Sequence, residues 1–460
     1  PTSWDDAKRV NSEISSARSL PELRSVVISN DNAKRFNVVN VATAYSRLGR
    51  HVLDHEIGTL NREGWYLDLE MRTKQLIPEL SGWAASSVTW SLARLDRDPG
   101  LVFWESLETL LTKKADELEP QGVANVLWAF AVLRRKTPPA LRNKLEANAA
   151  EFCGDDERSD YVARRDTSRT QHNNTHNKHP NSFKPYEMTM AFWALTRFGE
   201  SVSTGLTLAF EKRCSQCAFR LKPKELANVS SAYGRIGGGS KVLPVIAEAC
   251  VYDAGLENFE THEFATTLWG FAKAECRSVD LNIIEMFREH FVEYVDRFDP
   301  RDVSLTMWAL ATLDGNISMS SMSSSSSMGS SSPTTRSATP THTEWVVNIE
   351  LAVTKKIDKY NPQDLSNLLW AFAKLGYVPD FKFQTAFEEQ AIEIIDTLNS
   401  QNLANIAWAY AALGLRGSVN VLPLLSERYE KFIGEEGGFD TGQDDEFVRY
   451  EDTDTDTYID

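Results

Sequence analysis

One helix-like segment recurs along the chain. PQDLSNLLWAFAKLG at 362–376 returns as PQGVANVLWAFAVLR from Pro120 and as SQNLANIAWAYAALG from Ser400. Weaker copies begin at Pro185, Pro223, Thr261 and Pro300, and two earlier ones end at Gly49 and Asp96. Aligned on one anchor residue, the nine copies place it at 43, 90, 128, 193, 231, 269, 308, 370 and 408, where it is Trp in seven. Successive spacings are 47, 38, 65, 38, 38, 39, 62 and 38, so the unit is 38 residues with three insertions. A fixed period of this size excludes an ordinary globular core, because each unit contacts only its neighbours.

Within the unit, apolar residues at −5, +2 and +5 from the anchor keep one face of a 3.6-residue helix buried. Position +2 is always large: Tyr45, Leu92, Phe130, Leu195, Tyr233, Phe271, Leu310, Phe372 and Tyr410. Positions +1 and +3 are always small, as in Ala371 with Ala373, so a neighbouring helix can approach closely on a second side. Asn361-Pro362-Gln363-Asp364 reads as an N-cap, a proline at N1 and an acid near the positive end of the dipole. A second amphipathic segment follows each first helix, for example after Gly376.

The expected fold is therefore all-α, an α-solenoid of about nine helix-turn-helix repeats. Residues 1–33 read as a helical cap, 34–153 as repeats one to three, and 183–315 as repeats four to seven. Residues 344–433 hold repeats eight and nine and a C-terminal helix. The stretch 154–182, polar and His-rich, and the Ser-rich 316–343 read as disordered insertions, and 434–460 as a disordered acidic tail.

The formal charge of −16 argues at first against a polyanionic partner. Divided by position it argues less: the tail from Gly434 carries eleven acids and one base, while the nine first-helix windows sum to +2. Position +4 is basic in six repeats: Arg47, Arg94, Arg197, Arg235, Lys273 and Lys374. A base there is favoured by the helix dipole alone; a row of cations, one per repeat, would also track a phosphate backbone. A second row is Asn at −3, in Asn40, Asn125, Asn228, Asn367 and Asn405, suited to reading a base edge or to holding the neighbouring repeat. The anchor Trp reads as core before it reads as a stacking platform.

Other chemistry is sparse. Cys214 and Cys217 form a CxxC with no second ligand pair, and His172, His176 and His179 lie in a stretch too polar to fold alone, so no metal site and no cofactor are expected. Five cysteines make no disulfide framework and fit a reducing compartment. No P-loop, GxSxG or HExxH is present, so no catalytic residues are assigned and no enzyme is expected. No run of about 18 apolar residues suggests a membrane span, and no transit peptide is visible.

The 38-residue hairpin with its PQDLANxLWAxAxLG-like first helix resembles the octotricopeptide repeat (OPR) family, related to FAST-kinase-like proteins and RNA-editing substrate-binding complex repeat proteins. The resemblance spans about residues 30–433 apart from the insertions, and NVVNVATAYSRLGR looks like an opening repeat. It implies sequence-selective binding of single-stranded RNA in a mitochondrion or chloroplast, in the matrix or stroma. The roles implied are RNA processing, mRNA stability, ribosomal RNA maturation or translation, with protein partners in a ribonucleoprotein complex. Relatives often end in a RAP domain, for which the 27 residues after Ile433 are too few and too acidic. The repeats anchored at Trp269 and Trp308, net acidic and lacking the Asn, are expected to bind little. The competing expectation is a protein-binding scaffold of armadillo or HEAT type with no RNA contact.

Overall fold

A computed structural model describes residues 4–31, 33–154, 182–197, 201–323, 344–415 and 421–436. The chain is all-α, an α-solenoid of paired helices, and no strand occurs among the described residues. The described residues divide into two compact units, with the division between Gln216 and Cys217. The first contains α1 (Trp4–Ser16), α2 (Leu20–Ser29), α3 (Val38–His51), α4 (Asp54–Leu60), α5 (Gly64–Leu76), α6 (Gly82–Arg94) and α7 (Leu101–Lys114). It continues with α8 (Pro120–Val132), α9 (Pro139–Phe152), α10 (Pro185–Arg197) and α11 (Thr204–Cys217), in whose last turn the boundary falls. The second begins with α12 (Pro223–Ile236), α13 (Val242–Glu248), α14 (Thr261–Lys273), α15 (Leu281–Tyr294) and α16 (Pro300–Ser323). It closes with α17 (Glu344–Thr354), α18 (Pro362–Lys374), α19 (Phe381–Glu393), α20 (Ser400–Leu413) and α21 (Val421–Glu436).

In the first unit the first helices pack in the order α1, α3, α6, α8, α10; in the second the order is α12, α14, α16, α18, α20. The cap at 1–33 thus supplies a hairpin whose α1 takes the first-helix place beside α3. The nine-residue insertion before Trp90 adds the short helix α4. Helix α16 runs to Ser323, eight residues into the stretch read as the Ser-rich insertion. The rest of that stretch, residues 155–181 of the first insertion with His172, His176 and His179, and residues 437–460 of the tail lie outside the described residues.

Each first helix starts and stops for local reasons. Asn361 and Asn399 cap the backbone N–H groups of Asp364 and Asn402 at 2.9 and 2.8 Å. At three helices with a charged cap residue a Glu at N3 reaches back instead: Glu187, Glu225 and Glu263 accept from the N–H of Lys184, Lys222 and Glu260. At the other end, position +6 is left-handed in Asp96, Arg134, Gly237, Glu275, Gly376 and Gly414. In five of these six the N–H of +7 bonds the carbonyl of +2, as from Arg97 to Leu92 and from Tyr377 to Phe372, both at 2.9 Å.

The +2 side chains are all buried, from Tyr45 to Tyr410. They meet second-helix aromatics, as in Phe130 against Trp104 and Phe372 against Phe383. Full burial of such a side chain stabilises by roughly 1.5–3 kcal/mol. The small positions do what their size permits: Gly270 of α14 lies so near α12 that an added Cβ would sit 2.3 Å from the Ser230 carbonyl.

Position +7 also latches the second helix behind it. Arg97 pairs with Glu70 on α5 at 2.8 Å and covers the Tyr66 ring. Arg135 pairs with Glu108 on α7 at 2.6 Å and covers Trp104. In the second unit the charges swap ends and the latch moves one place: Arg288 on α15 bonds Asp314, at +6, at 2.8 Å and covers Trp345. At the next latch the Tyr377 hydroxyl and the Asp380 N–H both donate to the buried Glu350 of α17. Burial raises the Glu350 pKa above its ordinary 4.5, more than these hydrogen bonds lower it. The folded chain therefore holds this proton more tightly than the unfolded one. Its contribution is full below the ordinary value and is lost as pH rises through the raised one. The Glu350→Gln variant is expected to show a flatter urea midpoint across that acidic window than the parent.

Candidate nucleic-acid interface

Packing on two sides leaves each first helix one outward ridge, at positions −7, −3, 0 and +4, an i, i+4, i+7, i+11 series on one face. On α6 these are Trp83, Ser87, Trp90 and Arg94; on α14, His262, Thr266, Trp269 and Lys273. The 35 of these positions that fall within the nine first helices, 25 of them half-buried or exposed, contain no Asp or Glu, in a chain where 65 of 460 residues are acidic. They contain eight Lys or Arg.

The acids of these helices point elsewhere. Glu187, Asp302 and Asp364, at −6, are buried. Asp302 accepts from the Thr261 hydroxyl at 2.6 Å, and burial raises its pKa, as it does those of Glu225 and Glu263. The net acidity of the α14 and α16 windows is therefore not on their outward faces.

Of the +4 bases, Lys374 is exposed, while Arg47, Arg94, Arg197, Arg235 and Lys273 are half-buried on the ridge. Arg197 and Lys374 lie over the anchor rings of their own helices, Trp193 and Trp370, at 5.0 and 5.9 Å. Arg94 is held by Asp54 of α4 at 2.8 Å, so the inserted helix places a carboxylate on that guanidinium. Arg47 sits 3.3 Å from the Nε2 of His51. Burial, then the charges of Arg47 and Arg50, lower the His51 pKa and favour the neutral ring that can accept from Arg47.

The Asn row divides. Asn40 is fully buried, donates to the Ala7 carbonyl of α1 at 3.0 Å and accepts from the Asn37 N–H. Asn367 is 1% exposed and accepts from Gln363. Both amides are thus turned inward, and a neighbouring amide at −6, Asn402, ties α20 to Ser366 and Gln363 of α18 at 3.1 and 3.2 Å. Asn125, Asn228 and Asn405 are half-buried on the ridge, and the Asn405 Nδ2 meets no acceptor among the described residues.

The anchor rings are mostly core: Trp90, Trp193, Trp269 and Trp308 are buried, and Trp128 and Trp370 half-buried. They also face one another from repeat to repeat, Trp90 with Trp128 at 6.5 Å and Trp308, Trp370 and Trp408 at 6.3 and 6.0 Å. Trp408 is 46% exposed.

Position −7 does not stand out in the sequence, because no single chemistry runs through it. Its occupants include Trp83 at 55% exposure, Gln121, Tyr186, Lys224, His262, Arg301, Gln363 and Gln401. Only the exposure pattern reveals it as a row.

Elsewhere, all five cysteines are buried, with the Cys214 sulfur 3.9 Å from that of Met188. Among the described residues no cluster of His, Cys, Asp and Glu converges as a metal site, and no helix is long and apolar enough to cross a membrane. No protein-family model matches the chain, and no curated protein is detectably similar to it.

Proposed function

We propose that the chain binds single-stranded RNA along the outward ridges of its first helices, and that it acts by binding rather than catalysis. The observation that supports this reading is the exclusion of acids from every ridge position of a strongly acidic chain, with cations, amides and aromatic rings left there. Each kind has a counterpart on a single strand: cations meet phosphates, amides meet base edges, and rings stack on bases. The bulk acidity limits nonspecific attraction, so selectivity rests on register. The proposed role, following the repeat resemblance, is in mitochondrial or chloroplast RNA processing, stability, ribosomal RNA maturation or translation. Exposed apolar residues opening the second helices, Leu101, Leu281 and Phe381, offer protein partners in a ribonucleoprotein complex a separate surface.

If all six +4 bases met phosphates, the slope of log affinity against log salt would be on the order of −4. Because Asp54 already holds Arg94, the slope is expected to be smaller than that. Replacing Arg197, Arg235 and Lys374 with Ala should reduce it by about 2, at roughly 0.7 per contact. The measurement is binding of a labelled organellar transcript pool at two salt concentrations. Affinity indifferent to salt and to the triple substitution would remove the phosphate row from the proposal. Crosslinking that recovers a stoichiometric protein and no RNA would replace the reading with the scaffold one.

A further inference from the structure

Helix electrostatics separates the two basic rows. A base at +4 lies in the last turn, where the dipole favours a cation whatever the function. Position −7 is the second residue of these helices, where the dipole disfavours one. Yet three consecutive repeats of the second unit carry Lys224, His262 and Arg301 there, on the outward ridge of α12, α14 and α16. The helix dipole offers no reason for Lys224 and Arg301. In the first unit the same position carries the exposed Trp83 and the partly exposed Tyr186.

We infer that position −7 is a second RNA-facing row, contacting phosphate in the second unit through Lys224, His262 and Arg301 and stacking a base in the first through Trp83. The inference rests on the RNA-binding reading. It also reverses the expectation that the repeats anchored at Trp269 and Trp308 contribute little, because those repeats place His262 and Arg301 on the row. Along each helix, −7 and +4 are eleven residues apart, about 16 Å at 1.5 Å per residue. Neighbouring packed helices are about 8–10 Å apart. A strand crossing successive ridges within one unit therefore meets a −7 residue and a +4 residue at its two edges, with the −3 and anchor side chains between them. Trp83 presents a large aromatic face with the sequence tolerance of base stacking.

A purely structural role has its own signature. Lys224 lies near the Glu263 carboxylate and Arg301 near that of Asp302, with His262 beside both, so Lys224 and Arg301 also offset negative charge at half-buried and buried carboxylates. If that were all they did, their loss would lower stability and leave RNA affinity alone.

The test uses the full chain and labelled mixed-sequence single-stranded RNA, with affinity measured at several salt concentrations and the thermal midpoint recorded for each variant. Lys382→Gln is the control, an exposed base at the same second position of a helix but on α19, off the ridge. The Lys224→Gln, Arg301→Gln double variant is expected to remain folded, to weaken binding and to lower the salt slope by about 1.4. Trp83→Ala is expected to weaken binding about tenfold with the slope unchanged, within the range for loss of one stacked base. Lys382→Gln should match the parent. Wild-type affinity and slope in the folded −7 variants, alongside weakened binding by the +4 triple variant, would overturn this inference and leave RNA binding standing. No RNA binding by the intact chain would overturn both. Should the double variant fail to fold, Trp83→Ala and the single variant Arg301→Gln still decide, the latter expected to lower the slope by about 0.7.

Discussion

The Gly270→Ala variant is expected to lose about 3 kcal/mol of stability or more, at the upper end of the cost of overpacking. A methyl group at this position would lie 2.3 Å from both the carbonyl carbon and oxygen of Ser230 and 2.8 Å from its Cβ. The obstacle is backbone of an adjacent helix, so no side-chain rotation relieves it; α12 and α14 must separate. Gly205→Ala in α11 is the matched control, since a Cβ there meets nothing within 4 Å. It should be neutral or stabilise by up to about 1 kcal/mol, because alanine loses less backbone entropy in a helix. Urea unfolding of the two variants against the parent reads the difference directly. Equal midpoints would mean that the two helices are not in the close contact described.

In the first unit the largest loss is expected from Trp104→Ala, about 4 kcal/mol, within the 3–5 kcal/mol typical of removing a buried Trp or Phe ring. The ring is 2% exposed, meets Phe130 edge-on at 6.0 Å, carries the Arg135 guanidinium at 4.9 Å and donates from Nε1 to Asp98 at 2.9 Å. Its loss leaves a cavity and strips one support from the Arg135–Glu108 pair. Trp104→Phe should cost clearly less, because it keeps an aromatic surface while losing the Asp98 bond. Chemical denaturation followed by the remaining tryptophan fluorescence checks both variants. A near-neutral Trp104→Ala would show that the ring is not a keystone of this core.

The all-α solenoid was legible because its determinants repeat in type as well as in place. Large residues at +2, small ones at +1 and +3, and Pro at the first helical position recur, and burial of the +2 side chains follows from that pattern. Determinants that keep their place but vary in chemistry were not legible. The latch is Arg with Glu twice, then Arg with Asp in the opposite sense, then Tyr with Glu, so no one pair runs through the repeats. Its partners are 26 or 27 residues apart, too far for helix periodicity to suggest.

The candidate site was legible in half. Position +4 stands out because basic side chains recur there, and all six lie on the outward ridge. The Asn row looked uniform but is not. Asn40 lies at N3 of a helix that begins a turn later than the others, and its amide is consumed by Asn37 and Ala7. Whether an amide serves the stack or the surface depends on how far each helix extends and on its neighbour, which a motif does not record. Nor could the spacing of 47 residues reveal that its extra helix would set Asp54 against Arg94.

The latch bears on how such a chain can change in length. Glu70 with Arg97 and Glu108 with Arg135 each span 27 residues, less than the 38-residue period. A segment of one period excised or copied with its ends between latches carries both members of its pair with it. Such an event strands no half-buried charge, and the reversed polarity of Arg288 with Asp314 is equally self-contained. Gain or loss of a whole repeat therefore leaves every remaining unit electrostatically complete, whereas a cut inside the 27-residue span would orphan an arginine or a carboxylate against the core.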